Sequence, residues 1–178
     1  MADEFWVFAY GSLIWNPGFE VAEACLARAE GFRRGFYMRS VHYRGTHERP
    51  GLVLALDVCA GQSCTGMALR AAPGTGDAVL AYLRDRELIS YAYYEQTCHL
   101  TLQDGRAVDA TTFVVARDHA QYAGDLPLEA QAEIIARAEG SAGPNRDYLE
   151  NTVNSLRGLD IDAPDLFELA RMVQARSA

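Results

Sequence analysis

Apolar and polar positions divide the chain into a first part patterned like β-strands and a last third patterned like helices. Residues 4–10 are dense in aromatic and β-branched side chains, which predicts a buried strand that ends at Gly11-Ser12. Residues 21–31 are ambiguous, because their alanines favour a helix whereas their position favours a strand. Three further segments have the composition of strands: 33–41, 51–58 and 64–70.

A helix and a hairpin are predicted in the middle of the chain. From Asp77 the apolar residues recur at helical spacing and predict a helix that ends near Glu87. Residues 91–102 and 107–116 then predict two strands joined at Asp104-Gly105, a pair typical of a tight turn.

The last third contains three apolar stripes of helical period. They predict helices over 128–138, 149–156 and 166–173. Because strands come first and helices mostly last, we expect an α+β fold. No repeat, low-complexity tract or long linker divides the chain, so we expect a single domain over residues 1–178.

Composition then excludes several kinds of chemistry. All 16 Lys+Arg positions are arginine. A chain without lysine has no P-loop lysine, no pyridoxal phosphate anchor and no Schiff-base lysine. The 24 acidic residues give a net charge of -8, which argues against nucleic acid or an anionic membrane as the main partner. The acidic start, followed by a short apolar stretch, has no character of a signal peptide or membrane span, so we expect a cytoplasmic protein.

Metal and cofactor motifs are missing from the sequence. The chain contains neither GxGxxG nor GxSxG. The cysteines have none of the close pair spacings of zinc sites, and a chain of this length does not need a disulfide scaffold. We therefore expect no metal, no organic cofactor and reduced thiols. The cysteines concerned are Cys25, Cys59, Cys64 and Cys98.

The end of the first predicted strand is a candidate anion-binding site. A strand that ends in Gly11-Ser12 can turn sharply and aim several backbone N–H groups at one point, where a carboxylate could bind. The alternative is that Gly11 is an ordinary turn residue and Tyr10 belongs to the core.

Glu87, at the end of the predicted helix over 77–87, is a candidate general base. It precedes Leu88 and the tyrosine-rich segment 91–94, so it is placed to lie at the mouth of an aromatic pocket. A carboxyl group that is partly desolvated has a raised pKa, which suits proton transfer near neutral pH. The alternative is a solvated helix end, in which the charges of 84–87 form ion pairs of little energetic value.

Five segments, in this order, resemble the gamma-glutamylcyclotransferase family, specifically the ChaC-type branch that acts on glutathione. They are VFAYGSLIWNP at 7–17; Arg44-Gly45 with Glu48 and Pro50-Gly51; Arg86-Glu87; YAG at 122–124 with LPL at 126–128; and GPNRDYL at 143–149. Ala9 stands where this branch commonly has glycine.

The resemblance implies a fold, a reaction and a set of site residues. The implied fold is a small mixed β-barrel flanked by helices, in which residues 21–39 are mostly extended. The implied reaction is cofactor-independent cleavage of glutathione to 5-oxoproline and cysteinylglycine, with Glu87 as the catalytic acid/base. The residues implied to bind substrate are Val7, Phe8, Ala9, Tyr10, Gly11, Ser12, Leu13 and Tyr93, with Tyr91 as a competitor of Tyr93.

Several alternatives stay open from the sequence. The substrate could be another gamma-glutamyl amine or amino acid, and the domain could bind gamma-glutamyl compounds without catalysis. Arg39, Arg44 and Arg86 are unranked candidates for pairing with substrate carboxylates, and the favoured alternative for each is a surface or structural ion pair. The sequence leaves the oligomeric state open.

Overall fold

The computed structural model describes residues 4–88 and 92–177. Within these residues the chain forms strands and helices in the order that the sequence predicts. The strands are β1 (Trp6–Ala9), β2 (Val21–Ser40), β3 (Gly51–Ala71), β4 (Tyr93–Leu102), β5 (Ala107–Val115), β6 (Glu139–Gly140) and β7 (Gly143–Pro144). The helices are α1 (Gly76–Glu87), α2 (Leu128–Arg137), α3 (Asn145–Gly158) and α4 (Pro164–Ser177).

The first five strands close into a barrel in the order β1-β3-β2-β4-β5. β1 pairs antiparallel with β3, but it closes the barrel by pairing in parallel with β5, where Val7 faces Thr111. β4 and β5 form the predicted antiparallel hairpin, and Gly105 in its turn has a φ of 91°. The predicted α+β class and mixed barrel are therefore confirmed.

Two strands are much longer than the sequence predicts. The ambiguous segment 21–31 is extended and forms one strand with 33–41, as the family resemblance implies. The prediction of separate strands over 51–58 and 64–70 is wrong, because β3 runs without a break from Gly51 to Ala71. Residues 60–63 between them are exposed, and Gly61 there has a φ of 82°, so backbone pairing continues where the hydropathy pattern is lost.

The chain contains two compact units, each built from two stretches. The first unit comprises Met1–Arg34 and Leu56–His119. It contains β1, α1, β4 and β5, and one face of α1 contributes Val79 and Leu83 to a core cluster. The buried members of this core cluster are Val7, Ala9, Leu13, Leu69, Ala71, Val79, Leu83 and Phe113.

A buried carboxylate strengthens the first unit. Asp57 is 1% exposed, and two arginines reach it from separate parts of the chain. Nη2 of Arg33 lies 2.9 Å from Oδ2, and Nε of Arg117 lies 2.8 Å from Oδ1. Burial alone would raise the pKa of Asp57, but the hydrogen bonds from Arg117 and Arg33 outweigh burial and lower it.

The second unit comprises Gly35–Ala55 and Ala120–Ala178 and contains α2, α3 and α4, which pack on one another. At the start of α3, the buried side chain of Asn145 binds both backbone groups of Leu52. Its Oδ1 accepts from the Leu52 amide and its Nδ2 donates to the Leu52 carbonyl, each at 2.8 Å. The Asn145 side chain thus makes the pair of hydrogen bonds to Leu52 that the backbone of a neighbouring strand would otherwise make.

Close backbone packing requires glycine at two positions of this second unit. A Cβ on Gly45 would lie 2.1 Å from the backbone nitrogen of Gly51. A Cβ on Gly140 would lie 2.5 Å from the backbone nitrogen of Gly45. The amides of Ser141 and Ala142 donate to the carbonyls of His42 and Tyr43, each at 2.9 Å, and these hydrogen bonds hold the two backbones close together.

None of the helices in the described residues is long and apolar enough to cross a membrane. The prediction of a single domain over 1–178 stays a prediction.

Candidate functional site

β1 leads the chain into the candidate anion-binding turn. The side chains of Val7, Phe8 and Ala9 are 0% exposed. Val7 and Ala9 belong to the core cluster, and the alternation of a strand directs Phe8 to the opposite face. Protein encloses all three side chains, and their predicted role in binding substrate stays a prediction. The strand serves to hold that turn in place.

The turn after β1 keeps a regular internal geometry. The amide of Ile14 donates to the Gly11 carbonyl at 2.9 Å, and the amide of Asn16 donates to the Ser12 carbonyl at 2.8 Å. Ile14 and Asn16 donate these two hydrogen bonds within the turn. In the described part of the chain, the amides of Gly11, Ser12 and Leu13 donate no backbone hydrogen bond within the turn. Successive amides of this kind can form a concave anion-binding site.

Glu87 is the last residue of α1, as the helical period predicts. The buried Val79 and Leu83 fix the orientation of the helix by packing in the core cluster. Leu88 caps the helix, and its amide donates to the Arg84 carbonyl at 2.9 Å. Glu87 is therefore held at the end of an element that is anchored in the core.

Arg86 connects this helix end to the turn after β1. Its Nη2 donates to Oγ of Ser12 at 3.1 Å, across 74 positions of sequence. Its Nε lies 3.5 Å from Oε1 of Glu87. The two features that the sequence presents as separate candidates are thus parts of one site, in which a single guanidinium group contacts both.

The environment of Glu87 opposes its negative charge. The side chain is only 18% exposed, and burial raises the pKa of the carboxyl group. The neighbouring charge of Arg86 acts in the opposite direction and offsets part of this increase. A carboxyl group with a raised pKa is suited to accept a proton and later return it.

Two of the tyrosines that the sequence analysis names lie in the first unit. Tyr93, at the start of β4, is half-buried and packs against the core cluster that contains Ala9 and Leu13. Tyr10 is 9% exposed, and its carbonyl accepts a hydrogen bond from Nη1 of Arg34 at 3.3 Å. Tyr91, the competitor of Tyr93, lies outside the described residues.

The sequence did not indicate the contacts of Arg34 and Arg86. Arg34 also donates to the Thr65 carbonyl at 2.8 Å, so it ties β3 to the residue before the turn. No local motif signals this role, because the partners are about thirty residues away. For Arg86 the available signal is its place beside Glu87, which by itself cannot distinguish a substrate ligand from a structural contact.

The other two candidate arginines belong to the second unit. Nη1 of Arg44 donates to the Pro144 carbonyl at 3.1 Å, and its guanidinium lies 5.7 Å from the ring centroid of Tyr148. The backbone of Arg39 pairs with Gln121, whose backbone carbonyl accepts from the Arg39 amide at 2.7 Å. The Arg44 side chain thus has structural partners within its own unit.

A family model described as ChaC-like protein matches residues 5–176. The chain belongs to the ChaC-like family. Among curated ChaC relatives, the chain is 37% identical over 164 residues to the glutathione-specific gamma-glutamylcyclotransferase of Escherichia coli (strain K12), covering 92% of this chain and 70% of that protein.

Further relatives come from eukaryotes. The glutathione-specific gamma-glutamylcyclotransferase of Schizosaccharomyces pombe is 31% identical over 188 residues, covering 95% of this chain and 92% of that protein. The ChaC-like chain also superposes on the crystal structure of a gamma-glutamyl cyclotransferase specific to glutathione from yeast. The TM-score is 0.86 at 21% identity, covering 99% of this chain and 100% of that one. This likeness confirms the expected fold.

Proposed function

We propose that this protein is a glutathione-specific gamma-glutamylcyclotransferase that converts glutathione into 5-oxoproline and cysteinylglycine. The observation that carries the proposal is the placement of Glu87, a mostly buried carboxyl group whose arginine neighbour also binds the turn at Ser12. The curated relatives bear the name of this activity.

The proposed reaction is an internal transfer of an acyl group. The α-amine of the glutamyl group attacks its own γ-carbonyl carbon, forming a C–N bond that closes a five-membered lactam. The amide bond to the cysteine nitrogen then breaks, and that nitrogen leaves with a proton. Well-oriented intramolecular attack reaches effective molarities of about 10⁵ M or more, so ring closure supplies much of the rate.

Glu87 is assigned both proton transfers. It removes the proton that the α-amine must lose to become a nucleophile, and it delivers a proton to the departing amine. One carboxyl group can carry out both steps because the proton it gains in the first is the proton it gives in the second. The scheme uses no metal or organic cofactor.

The turn after β1 is assigned to the substrate. The amides of Gly11, Ser12 and Leu13 are assigned to bind a carboxylate or the oxygen that becomes negative during attack. Tyr10 and Tyr93 are assigned to the walls of the pocket. Because Val7, Phe8 and Ala9 have enclosed side chains, their contribution is to support the turn.

The organisation of the chain is also part of the proposal. We infer that residues 1–178 act as a single domain, since one family match includes stretches of both units. A small molecule, rather than a macromolecule, is the proposed partner. A cytoplasmic location is consistent with four free cysteines, which are typical of a reducing compartment.

Purified protein incubated with glutathione tests the proposal directly, with 5-oxoproline and cysteinylglycine followed by mass spectrometry. We expect both products in equal amounts. Parallel incubation with γ-Glu-Ala measures whether the leaving amine matters. Turnover of γ-Glu-Ala alone would transfer the assignment to other gamma-glutamyl substrates, and turnover of neither would leave a binding domain without catalysis.

A further inference from the structure

The guanidinium group of Arg86 is occupied by protein acceptors. Besides Ser12, it contacts three groups through Nη1: the Asn16 carbonyl at 2.7 Å, the Tyr82 hydroxyl at 3.1 Å and the Pro17 carbonyl at 3.5 Å. Nε is directed towards Glu87. These partners belong to the turn after β1 and to α1 itself, so the group connects the two elements through both of its Nη atoms.

Tyr82 extends this connection by one helical turn. It lies four residues before Arg86 and therefore on the same side of α1. A Cβ on Gly18 would lie 1.9 Å from the Tyr82 hydroxyl, which places the tyrosine directly against the backbone at the far end of the loop. Gly18 also has a φ of 75°, a conformation that favours glycine. Residues 12–18 are thus held against α1 at both ends.

We propose that Arg86 is a positioning residue that, with Tyr82, holds loop 12–18 against the last turns of α1 and does not bind a substrate carboxylate. This inference rests on the proposed function. Through this contact, Arg86 keeps a constant distance between loop 12–18, which is proposed to bind the substrate, and the Glu87 carboxyl group, which is proposed to transfer the proton.

The chemistry of arginine suits this purpose. A guanidinium group presents its N–H donors in a rigid planar fork, whereas a lysine ammonium is a single point charge on a flexible stem. Arginine can therefore bind Ser12, Asn16 and Tyr82 together and still direct Nε to Glu87. A misplacement of about 1 Å at a reacting centre can cost about 100-fold in rate, so a small movement of this loop would be measurable.

Replacement by lysine keeps the charge and removes the fork. For Arg86→Lys we expect kcat/KM for glutathione to fall about 10- to 100-fold, with a lower kcat and a higher KM. Arg84→Lys is the matched control, because Arg84 lies in the same helix turn but pairs with Glu95, with its Nε 2.6 Å from Oε2. We expect that control to stay within about twofold of the unaltered protein.

Esterified glutathione separates positioning from direct binding. Glutathione has two carboxylates. When either that of glycine or the α-carboxylate of the glutamyl group is converted to its ethyl ester, a positioning role predicts that Arg86→Lys loses the same factor as with glutathione. A loss that disappears with either ester would mean that Arg86 binds the esterified carboxylate and would overturn the proposal. Kinetics indistinguishable from those of Arg84→Lys would overturn it as well.

Tyr82→Phe provides a milder test if the arginine variants do not fold. It removes one acceptor and should lower kcat/KM about threefold while the melting temperature changes by less than about 2 °C. Lower thermal stability with unchanged kcat and KM well below the melting temperature would indicate a purely structural contact and overturn the proposal.

Calorimetric titration with glutathione in the Glu87→Gln background distinguishes this inference from the proposed function. Binding there does not require turnover, and adding Arg86→Lys should weaken it at least about fivefold. Equal affinity would overturn the positioning role. Absence of turnover by the unaltered protein, with the expected loss of affinity in the variant, would reject the proposed function alone.

Discussion

Nε of Arg86 lies 3.5 Å from Oε1 of Glu87, its neighbour in the chain. Successive residues of a helix point about 100° apart and do not usually meet. Here Glu87 is the last residue of α1, and the two side chains approach each other. The carboxylate thus has a positive neighbour in a setting where burial otherwise disfavours its charge.

This relationship predicts the acid side of the pH–rate profile. Burial raises the pKa of Glu87 above its usual value of 4.5, and Arg86, the charged side chain among the described residues that acts on it, offsets part of the rise. A base must be deprotonated, so kcat/KM should fall as the pH drops through this raised pKa. The measurement is kcat/KM from about pH 4 to about pH 9. An acid limb with its midpoint at or below 4.5 would contradict the assignment of Glu87 as the base.

Arg86→Gln should move this limb further towards neutral pH. The substitution removes the positive charge that lowers the pKa of Glu87, so burial acts without opposition. Arg86→Lys retains the charge and serves as the control, with its limb close to that of the unaltered protein. The midpoints of the three kcat/KM profiles are the measurement, and identical midpoints would be evidence against coupling between the two side chains.

Glu87→Gln should reduce turnover by about 10²- to 10⁴-fold and leave glutathione binding intact, because the amide keeps the shape but accepts no proton. Single-turnover rates and calorimetry measure the two quantities separately. Glu95→Gln is the control, since Glu95 pairs with Arg84 on the surface. Near-normal turnover by the Glu87 variant would mean that another group is the base.

Much of this site could be predicted from sequence because its signals are local. The helical period places Glu87 at the end of α1, and the glycine after β1 marks the turn. The bond between Arg86 and Ser12 could not be predicted, since it depends on how the barrel brings distant segments together. Tyr93 is placed beside the core cluster, but its role in binding substrate stays a prediction.

For the fold, too, local sequence signals predict the type of an element better than its length. Strand composition gave the correct type for β2 from residue 33 onwards and for most of β3, but it left residues 21–31 ambiguous and gave the wrong length for β3. Residues 60–63 carry exposed side chains and a glycine, so their hydropathy pattern is that of a loop, while their backbone still pairs. Pairing is a property of the neighbouring strands, and a single segment does not reveal it.

Asp57→Asn should destabilise the protein by about 3 kcal/mol at neutral pH, because two arginines lose a buried negative partner. The lowered pKa of Asp57 means that its contribution is present above the usual value of 3.8 and is lost as the pH falls below it. The difference between variant and unaltered protein should therefore shrink in acid.

Urea unfolding at several pH values measures this difference. Asp104→Asn is the control, since Asp104 forms an exposed ion pair with Arg106, and we expect little change from it. A difference for Asp57→Asn that stays constant from neutral to acid pH would show that the charge of Asp57 is not the source of its stabilisation.

Asn145→Ala should cost about 2–4 kcal/mol in the free energy of unfolding, because the amide and the carbonyl of Leu52 both lose their buried partner. Asn154→Ala, on the exposed side of the same helix, should be neutral. Chemical denaturation of the two variants is the comparison. Equal stabilities would mean that water replaces the side chain at Leu52.

The division of the chain into units has a consequence for inheritance. Each unit consists of two stretches that alternate along the sequence, Met1–Arg34 and Leu56–His119 with Gly35–Ala55 and Ala120–Ala178. Any continuous fragment that contains all of one unit also contains a stretch of the other. A single genetic crossover between two relatives therefore cannot exchange either unit whole.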